Sequence, residues 1–278
     1  YELALDGAGA ALNNVALGQS LTADHVLRFQ DLIPQANYQL ATYALAELFT
    51  RKDEAEIAEL RKAGQAIDAV HAQVPKLLQP GRTEAEVAQE LEELILQEHT
   101  VIDFVIVGSG PNGANPHHSF SDRVLAEGEP VVVDIGGTLP SGYHSDCTRT
   151  YVVGGDVSKA PQDFQDAYAV LADAQAAARA AAHPGSIAAE IDAITRKAIA
   201  AAGWGDNFVH RTGHGIGLST HEEPFIMEGN DLTLEEGMAF SIEPGIYVEG
   251  KWGIRLEDIV VLTSDGYESL NLAPREVR

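Results

Sequence analysis

The chain has 278 residues, 45% of them hydrophobic, enough for one large domain or a domain with a smaller companion. Eighteen Lys and Arg stand against 42 Asp and Glu, a formal net charge of −24, so nucleic acid and anionic membrane surfaces are poor partners. The single cysteine, Cys147, rules out an intrachain disulfide, and no apolar run reaches the roughly 18 residues of a membrane helix; the expectation is a cytoplasmic protein.

Residues 1–50 read as the C-terminal end, or a remnant, of a larger N-terminal domain plus a linker. "LTADHVLRFQDLIP" opens on a threonine before helical periodicity and stops at Pro34, and "QLATYALAELF" is a second short apolar stretch. Neither could bury a core alone. From residue 51 the pattern changes to long helix. Ile57, Leu60, Ala63, Ile67 and Val70 recur at helical spacing, and Pro80-Gly81 is the expected stop. "TEAEVAQELEELILQEH" is a second helix. "VIDFVIVGSGPNGANPHHSF" then reads as a strand with a glycine-rich loop, and "EGEPVVVDIGG" as a buried strand. The loop "GSGPNG" lacks the following helix and lysine of a phosphate loop. Cys147 has no thiolate-activating pattern around it and reads as a small strand residue.

The second half repeats this order. "PQDFQDAYAVLADAQAAARAAAHPG" and "SIAAEIDAITRKAIAAAGW" are helices; "NFVHRTGHGIGLSTHEEP" and "LEEGMAFSIEPGIYV" follow. Leu125–Gly128 matches Leu234–Gly237 at an offset of 109, Asp134 matches Glu243 at 109, and Pro80-Gly81 matches Pro184-Gly185 at 104. Two related halves are predicted, each two helices and a hairpin with an acid at the same point.

Each half then offers two acids beside strand-like runs: Asp134 and Asp146, Glu243 and Glu257. Packing the halves together would bring four carboxylates to one centre, which calls for a divalent cation or two. His214, flanked by glycines 213, 215 and 217, is the candidate nitrogen ligand. Taken singly, each acid reads as a turn or cap residue and His214 as a loop residue satisfied by backbone. The constellation of five, each on or beside a strand in a duplicated frame, outweighs its members. Oxygen-rich ligands with one imidazole suit Mn, Co, Zn or Fe rather than a structural zinc site.

At these residues the sequence resembles the pita-bread metallopeptidases, which include methionine aminopeptidases, Xaa-Pro aminopeptidases and prolidases. The resemblance runs from about residue 52 to 278 and rests on "DIGG…HSDCTRTY", "TGHGIGLSTHEEP", "SIEPGIY" and "GIRLEDIVV" in that order. It implies an α+β fold of two pseudo-symmetric halves, helices packed on a curved, mostly antiparallel sheet, with residues 51–278 as the catalytic domain. It implies that Asp134, Asp146, His214, Glu243 and Glu257 bind two divalent ions, manganese first among Mn, Co, Zn and Fe. Asp146 and Glu257 would bridge; Asp134 would complete one ion, His214 and Glu243 the other. Glu243 would shuttle the proton and His221 support the oxyanion. His117 would join them in catalysis, and His117, His210 and His221 would contact substrate. Arg255 would orient a ligand carboxylate and sit in the substrate site. A homodimer is the family's common state.

The eleven residues between Asp134 and Asp146, "NPHHSF" at His117, and the hinge-like "RKDEAEIAELRKA" place the resemblance in the Xaa-Pro branch. The expected activity is metal-dependent hydrolysis before proline in dipeptides, with Xaa-Pro aminopeptidase and then methionine aminopeptidase as alternatives. Phe225, Ile226 and Tyr247 are expected to shape an apolar pocket for the proline ring. Prolidases tend to carry an arginine between the HGIG and SIEPG motifs that holds the substrate carboxylate; "FIMEGNDLTLEEGMAF" has none, leaving that contact to another loop or subunit. Creatinase and the protein-binding pita-bread domains lack the ligand set kept here. A plain acidic cation-binding protein would take up metal without peptidase activity.

Overall fold

The computed structural model describes residues 12–18 and 21–278. Two compact units are present, divided between Phe49 and Thr50. The first contains a parallel pair of short strands, β1 (Asn14–Leu17) and β2 (Asn37–Leu40), and helix α1 (Ala23–Leu32), which buries no residue fully.

The second unit opens on α2 (Glu54–His71). Its start is set by a capping box: the Asp53 carboxylate accepts the N–H groups of Ala55 and Glu56, and Glu56 reaches back to the Asp53 N–H. The predicted apolar stripe, Ile57, Leu60, Ala63, Ile67 and Val70, is the buried face; full burial of each large aliphatic side chain contributes about 1.5–3 kcal/mol. The helix ends at His71, short of the expected stop at Pro80-Gly81, and a separate turn, Val74–Leu77, follows. Pro75 lacks the N–H that a continuing helix would donate to the His71 carbonyl, so the ladder breaks there. A second capping box, Thr83 with Glu86, starts α3 (Glu84–Ile95). These helices pack on an antiparallel sheet of β3 (Val101–Ser109), β4 (Pro130–Thr138) and β5 (Cys147–Val152).

The other half repeats the scheme. Helices α4 (Gln162–Ala181) and α5 (Ala188–Ala201) precede β6 (Gly213–Gly215), β7 (Glu222–Ile226), β8 (Ala239–Ile242), β9 (Gly245–Val248), β10 (Trp252–Arg255), β11 (Asp258–Thr263) and β12 (Gly266–Ser269). One sheet runs β12-β11-β8-β6-β7, and β9 and β10 form a separate pair. Every pairing in this unit is antiparallel.

Backbone contacts bear out the duplication in detail. Thr83 bridges Val124 in one half as Ile187 bridges Thr233 in the other, displacements of 104 and 109 residues. The Gly81 N–H donates to the Leu125 carbonyl as that of Gly185 donates to Leu234. Both of these glycines have positive φ, 91° and 96°, where a side chain would be strained. On the sheets, Val133 faces Arg149 and Ile242 faces Asp258, the same register moved by 109 on both strands. The duplication therefore relates Asp134 to Glu243 but not Asp146 to Glu257. Glu257 is equivalent to Thr148, and Asp146 to Arg255. Sheet alternation keeps positions 146 and 148 on one face, so the second acid of each half still points the same way after a slip of two residues.

His71 ties α2 to β5. It is buried, with Nε2 2.9 Å from the Cys147 carbonyl and Nδ1 3.0 Å from the Tyr151 hydroxyl. Burial pushes its pKa from 6.5 down to about 3, so between those values only the unfolded chain takes up the proton and stability falls as pH falls. Moving from pH 7.5 to 5.5 should cost about 1.4 kcal/mol through this one side chain. Urea midpoints of the wild type and His71→Gln at both pH values check this; the variant, though less stable, should lose less on acidification.

Candidate metal centre and active-site cavity

Asp134 lies on β4, with Ile106 and Thr148 as its cross-strand neighbours. Asp146 immediately precedes β5, and Glu257 immediately precedes β11. The Glu257 N–H donates to the Thr148 carbonyl at 3.1 Å, which joins the two sheets edge to edge at the acids. Glu243 follows β8, its N–H on the Thr212 carbonyl at 2.7 Å, and His214 is the middle residue of β6. Period-2 alternation separates the adjacent acids of "LED". Glu257 faces the centre, while Asp258 turns away to a buried ion pair with Arg149 at 2.8 Å.

The glycines around His214 have a steric cause. A Cβ at Gly213 would lie 1.9 Å from the Ser241 carbonyl oxygen, and one at Gly215 2.2 Å from that of Glu223. Strand β6 is wedged between β7 and β8 so closely that only glycine fits on either side of the imidazole. The ring itself is oriented: Nδ1 lies 3.1 Å from the Gly215 carbonyl, so Nδ1 carries the proton and Nε2 presents its lone pair. That Nε2 is 3.3 Å from Glu243 Oε1 and 3.5 Å from Asp146 Oδ2.

Asp146, His214 and Glu257 each offer a ligand atom within 4.8 Å of the other two, and all three are buried. Asp134 and Glu243 flank them. Arg255 Nη2 donates to Asp134 Oδ2, and Arg255 Nε is 4.0 Å from Glu243 Oε2. Among the described residues, two buried carboxylate oxygens have no hydrogen-bond partner, Asp134 Oδ1 and Glu257 Oε1. Two carboxylates 4 Å apart repel by about 4 kcal/mol at an effective dielectric near 20. Without a cation, burial drives the Asp146 and Glu257 pKa values well above the carboxylate range, reinforced for Asp146 by the charge of Glu257 and for Glu257 by that of Glu243. Burial likewise pushes Glu243 up to about 7 against the pull of Arg255. His214 falls to about 3 through burial and the proximity of His221, so it is neutral and able to ligate. Unpartnered buried oxygens, crowded acids and a neutral imidazole with its lone pair inward make a donor set that fits a divalent cation.

These residues lie at the floor of a cavity of about 1000 Å³, at the upper end for small-molecule sites. His117, His210, His221 and Arg255 line it with the five acid and imidazole residues, so the expected metal-binding and catalytic residues, and the histidines and arginine expected to contact substrate, all reach this one space. Their freedom differs. Both His210 nitrogens are engaged, Nδ1 2.7 Å from the Arg211 carbonyl and Nε2 2.8 Å from the Tyr247 hydroxyl. The His221 ring lies 4.1 Å from that of His214, tilted by 47°, and among the described residues its nitrogens have no hydrogen-bond partner. His117 is exposed on the loop after β3. That loop is pinned by Glu84, whose buried carboxylate accepts from Ser109, Asn112, Ser121 and His118.

The expected apolar pocket is built differently. Ile226 is fully buried in the core, Phe225 lies beneath the Arg211 guanidinium, and Tyr247 is a hydrogen-bonding link between His210 and Arg255. None of the three lines the cavity; Ile102, Phe104, Ile106, Phe120 and Met227 do. The "VIDFVIV" run showed a strand but not that alternate residues would face a site rather than the helices. Sequence reasoning also missed Arg211, two positions ahead of β6, which lines the cavity.

Comparison with known proteins gives a consistent result. Residues 58–264 match the model of metallopeptidase family M24. The chain is 54% identical over 270 residues to the probable dipeptidase PepE of Mycobacterium bovis, an alignment covering 97% of this chain and 71% of that protein. It is 40% identical over 264 residues to an Xaa-Pro dipeptidase of Lactobacillus delbrueckii subsp. lactis, covering 93% and 70%. The crystal structure of dipeptidase PepE from Mycobacterium ulcerans superposes with a TM-score of 0.92 at 51% identity, covering 100% of this chain and 74% of that one.

Removing the imidazole tests the donor set directly. His214→Ala should lower the divalent metal that copurifies or is retained after manganese loading, measured by plasma mass spectrometry, while circular dichroism stays native. Undiminished metal would remove His214 from the site.

Proposed function

The chain belongs to metallopeptidase family M24, with its pita-bread fold, and on that premise we propose that it is a dipeptidase cleaving the bond before proline. The observation that carries this is the convergence of Asp134, Asp146, His214, Glu243 and Glu257 on the floor of one cavity whose walls are part histidine and part apolar. The Xaa-Pro dipeptidase of L. delbrueckii, alike over 93% of this chain, supports the substrate class. Residues 51–278, which hold the whole site, would be the catalytic domain. Two divalent ions, manganese first, are proposed, and Asp134, Asp146, His214, Glu243 and Glu257 would hold them.

Such ions act as Lewis acids and lower the pKa of water at the site. The chain supplies the remainder. Glu243, beside the ions and facing the cavity, takes a proton from the attacking water and passes it to the departing imide nitrogen. Arg255 holds Asp134 in place through its own bonds to the Tyr247 hydroxyl at 2.8 Å and the Pro116 carbonyl at 3.2 Å. His221 is kept neutral by burial and the Arg211 charge, and its N–H donates to the carbonyl oxygen as negative charge develops there. His117 reaches the substrate from the exposed loop. Proline carries no N–H, so the surface beside its ring needs no acceptor, and Phe104, Ile106 and Phe120 suit it.

Chelation should abolish hydrolysis of Ala-Pro and Leu-Pro, and manganese or cobalt should restore it. A panel including Met-Ala-Ser separates a methionine aminopeptidase; preference for that peptide over Ala-Pro would refute the reading. His221→Ala should retain its metal and lose about 10²–10³ in kcat, the cost of removing one oxyanion donor. Loss of metal along with the rate would show instead that His221 supports the ligands.

A further inference from the structure

We infer that Arg211 receives the C-terminal carboxylate of the substrate and thereby limits the site to dipeptides; this rests on the peptidase reading above. Arg211 lines the cavity just ahead of the strand that carries His214. Its Nε is buried and has no hydrogen-bond partner. Among the described residues its guanidinium makes no hydrogen bond or ion pair at all, in a chain with 42 acids against 18 Lys and Arg. A buried N–H donor left unmet is destabilising unless a ligand meets it.

The other guanidinium in the cavity is spoken for. Arg255 is bonded to Asp134, the Tyr247 hydroxyl, the Pro116 carbonyl and Thr148 Oγ1. Arg211 has an aromatic neighbour instead: its Cζ lies 4.8 Å from the centre of the Phe225 ring. The ring contact uses none of the guanidinium N–H donors, which stay available to a planar anion such as a carboxylate, a partner able to accept two parallel hydrogen bonds. A dipeptide is a zwitterion. Among the described residues, its carboxylate has one uncommitted guanidinium on the cavity wall to find. A longer peptide would present a neutral amide there and forfeit the charge-assisted pair. The arginine absent between the HGIG and SIEPG motifs is thus supplied from just before them.

The test compares wild type, Arg211→Met and Arg211→Lys on Ala-Pro and on alanyl-prolinamide, with metal content as the check on folding. Arg211→Met should lower kcat/KM for Ala-Pro about 30-fold, chiefly through KM, as expected for losing hydrogen bonds to a charged partner. The amide should lose several-fold less than Ala-Pro, since no charge is read there and only the influence of Arg211 on His221 is common to both substrates. Arg211→Lys should recover part of the Ala-Pro loss. Equal losses on both substrates, or none on either, would overturn the assignment. Calorimetric titration with L-proline and L-prolinamide needs no turnover: L-proline should bind the wild type more tightly than Arg211→Met, and L-prolinamide should not distinguish them. Identical L-proline affinities would refute the role of Arg211. Failure of the wild type to cleave Ala-Pro would count against the substrate class, while the titration would still decide Arg211.

Discussion

Asp134, Asp146, Glu243 and Glu257 converge beside the edge where two sheets join, and their mutual repulsion is what the surrounding structure has to answer. The chain answers it only in part. Arg255 neutralises Asp134, and Thr148 and Ser241 donate to Glu257 and Glu243. Asp134 Oδ1 and Glu257 Oε1 are left bare. A folded protein keeps such oxygens buried at considerable cost, and a divalent cation relieves several of them at once. The same deficit of positive charge that makes the site unfavourable alone makes it a receptor for metal.

Duplication explains how a chain builds such a site and where it departs from symmetry. Two copies of a helix pair and hairpin place Asp134 and Glu243 at matching points, with a shared register 109 residues apart. Strict repetition would stop there. Arg255 occupies the place equivalent to Asp146, and Thr148 the place equivalent to Glu257. One half thus contributes an acid where the other contributes the cation that restrains it. Exchange of roles across the pseudo-symmetry yields neighbours that differ in charge, which two identical halves could not provide.

The cavity above the floor is less symmetrical. One wall is apolar and comes from β3, where Phe104 and Ile106 line the cavity while Val107 and, on the far side of the bulge, Ile102 pack on the core. Another is polar and belongs to the segment around β6, where Arg211, His214 and His221 follow one another. Lys52 and Glu222, paired at 2.6 Å and nearly inaccessible, brace the chain next to His221. The β3 loop is braced in the same manner by Glu84. Both flanks of the site therefore rest on buried polar contacts outside the cavity, which restrict how far its histidines can move.

Spacing along the chain was enough to expect the duplicated frame and the glycines beside His214, and to single out five acid and imidazole residues that line one cavity, because each depends on local order: sheet alternation, turn residues, and the offset between like segments. The helix starts at Asp53 and Thr83 are local in the same sense. The early end of α2 was local too, but Pro75 was outweighed by the apolar run through it. Only the tertiary structure could decide the rest. Which face of β3 looks into the cavity depends on what covers its other face. Tyr247 and Ile226, apolar or aromatic in sequence, went to a hydrogen-bond relay and to the core because of their neighbours across the sheet. Above all, one arginine found an acid and another, among the described residues, found none. A sequence states how many charges a chain carries, but whether a given charge is answered is a matter of distances between residues far apart in the chain, and those exist only once it has folded.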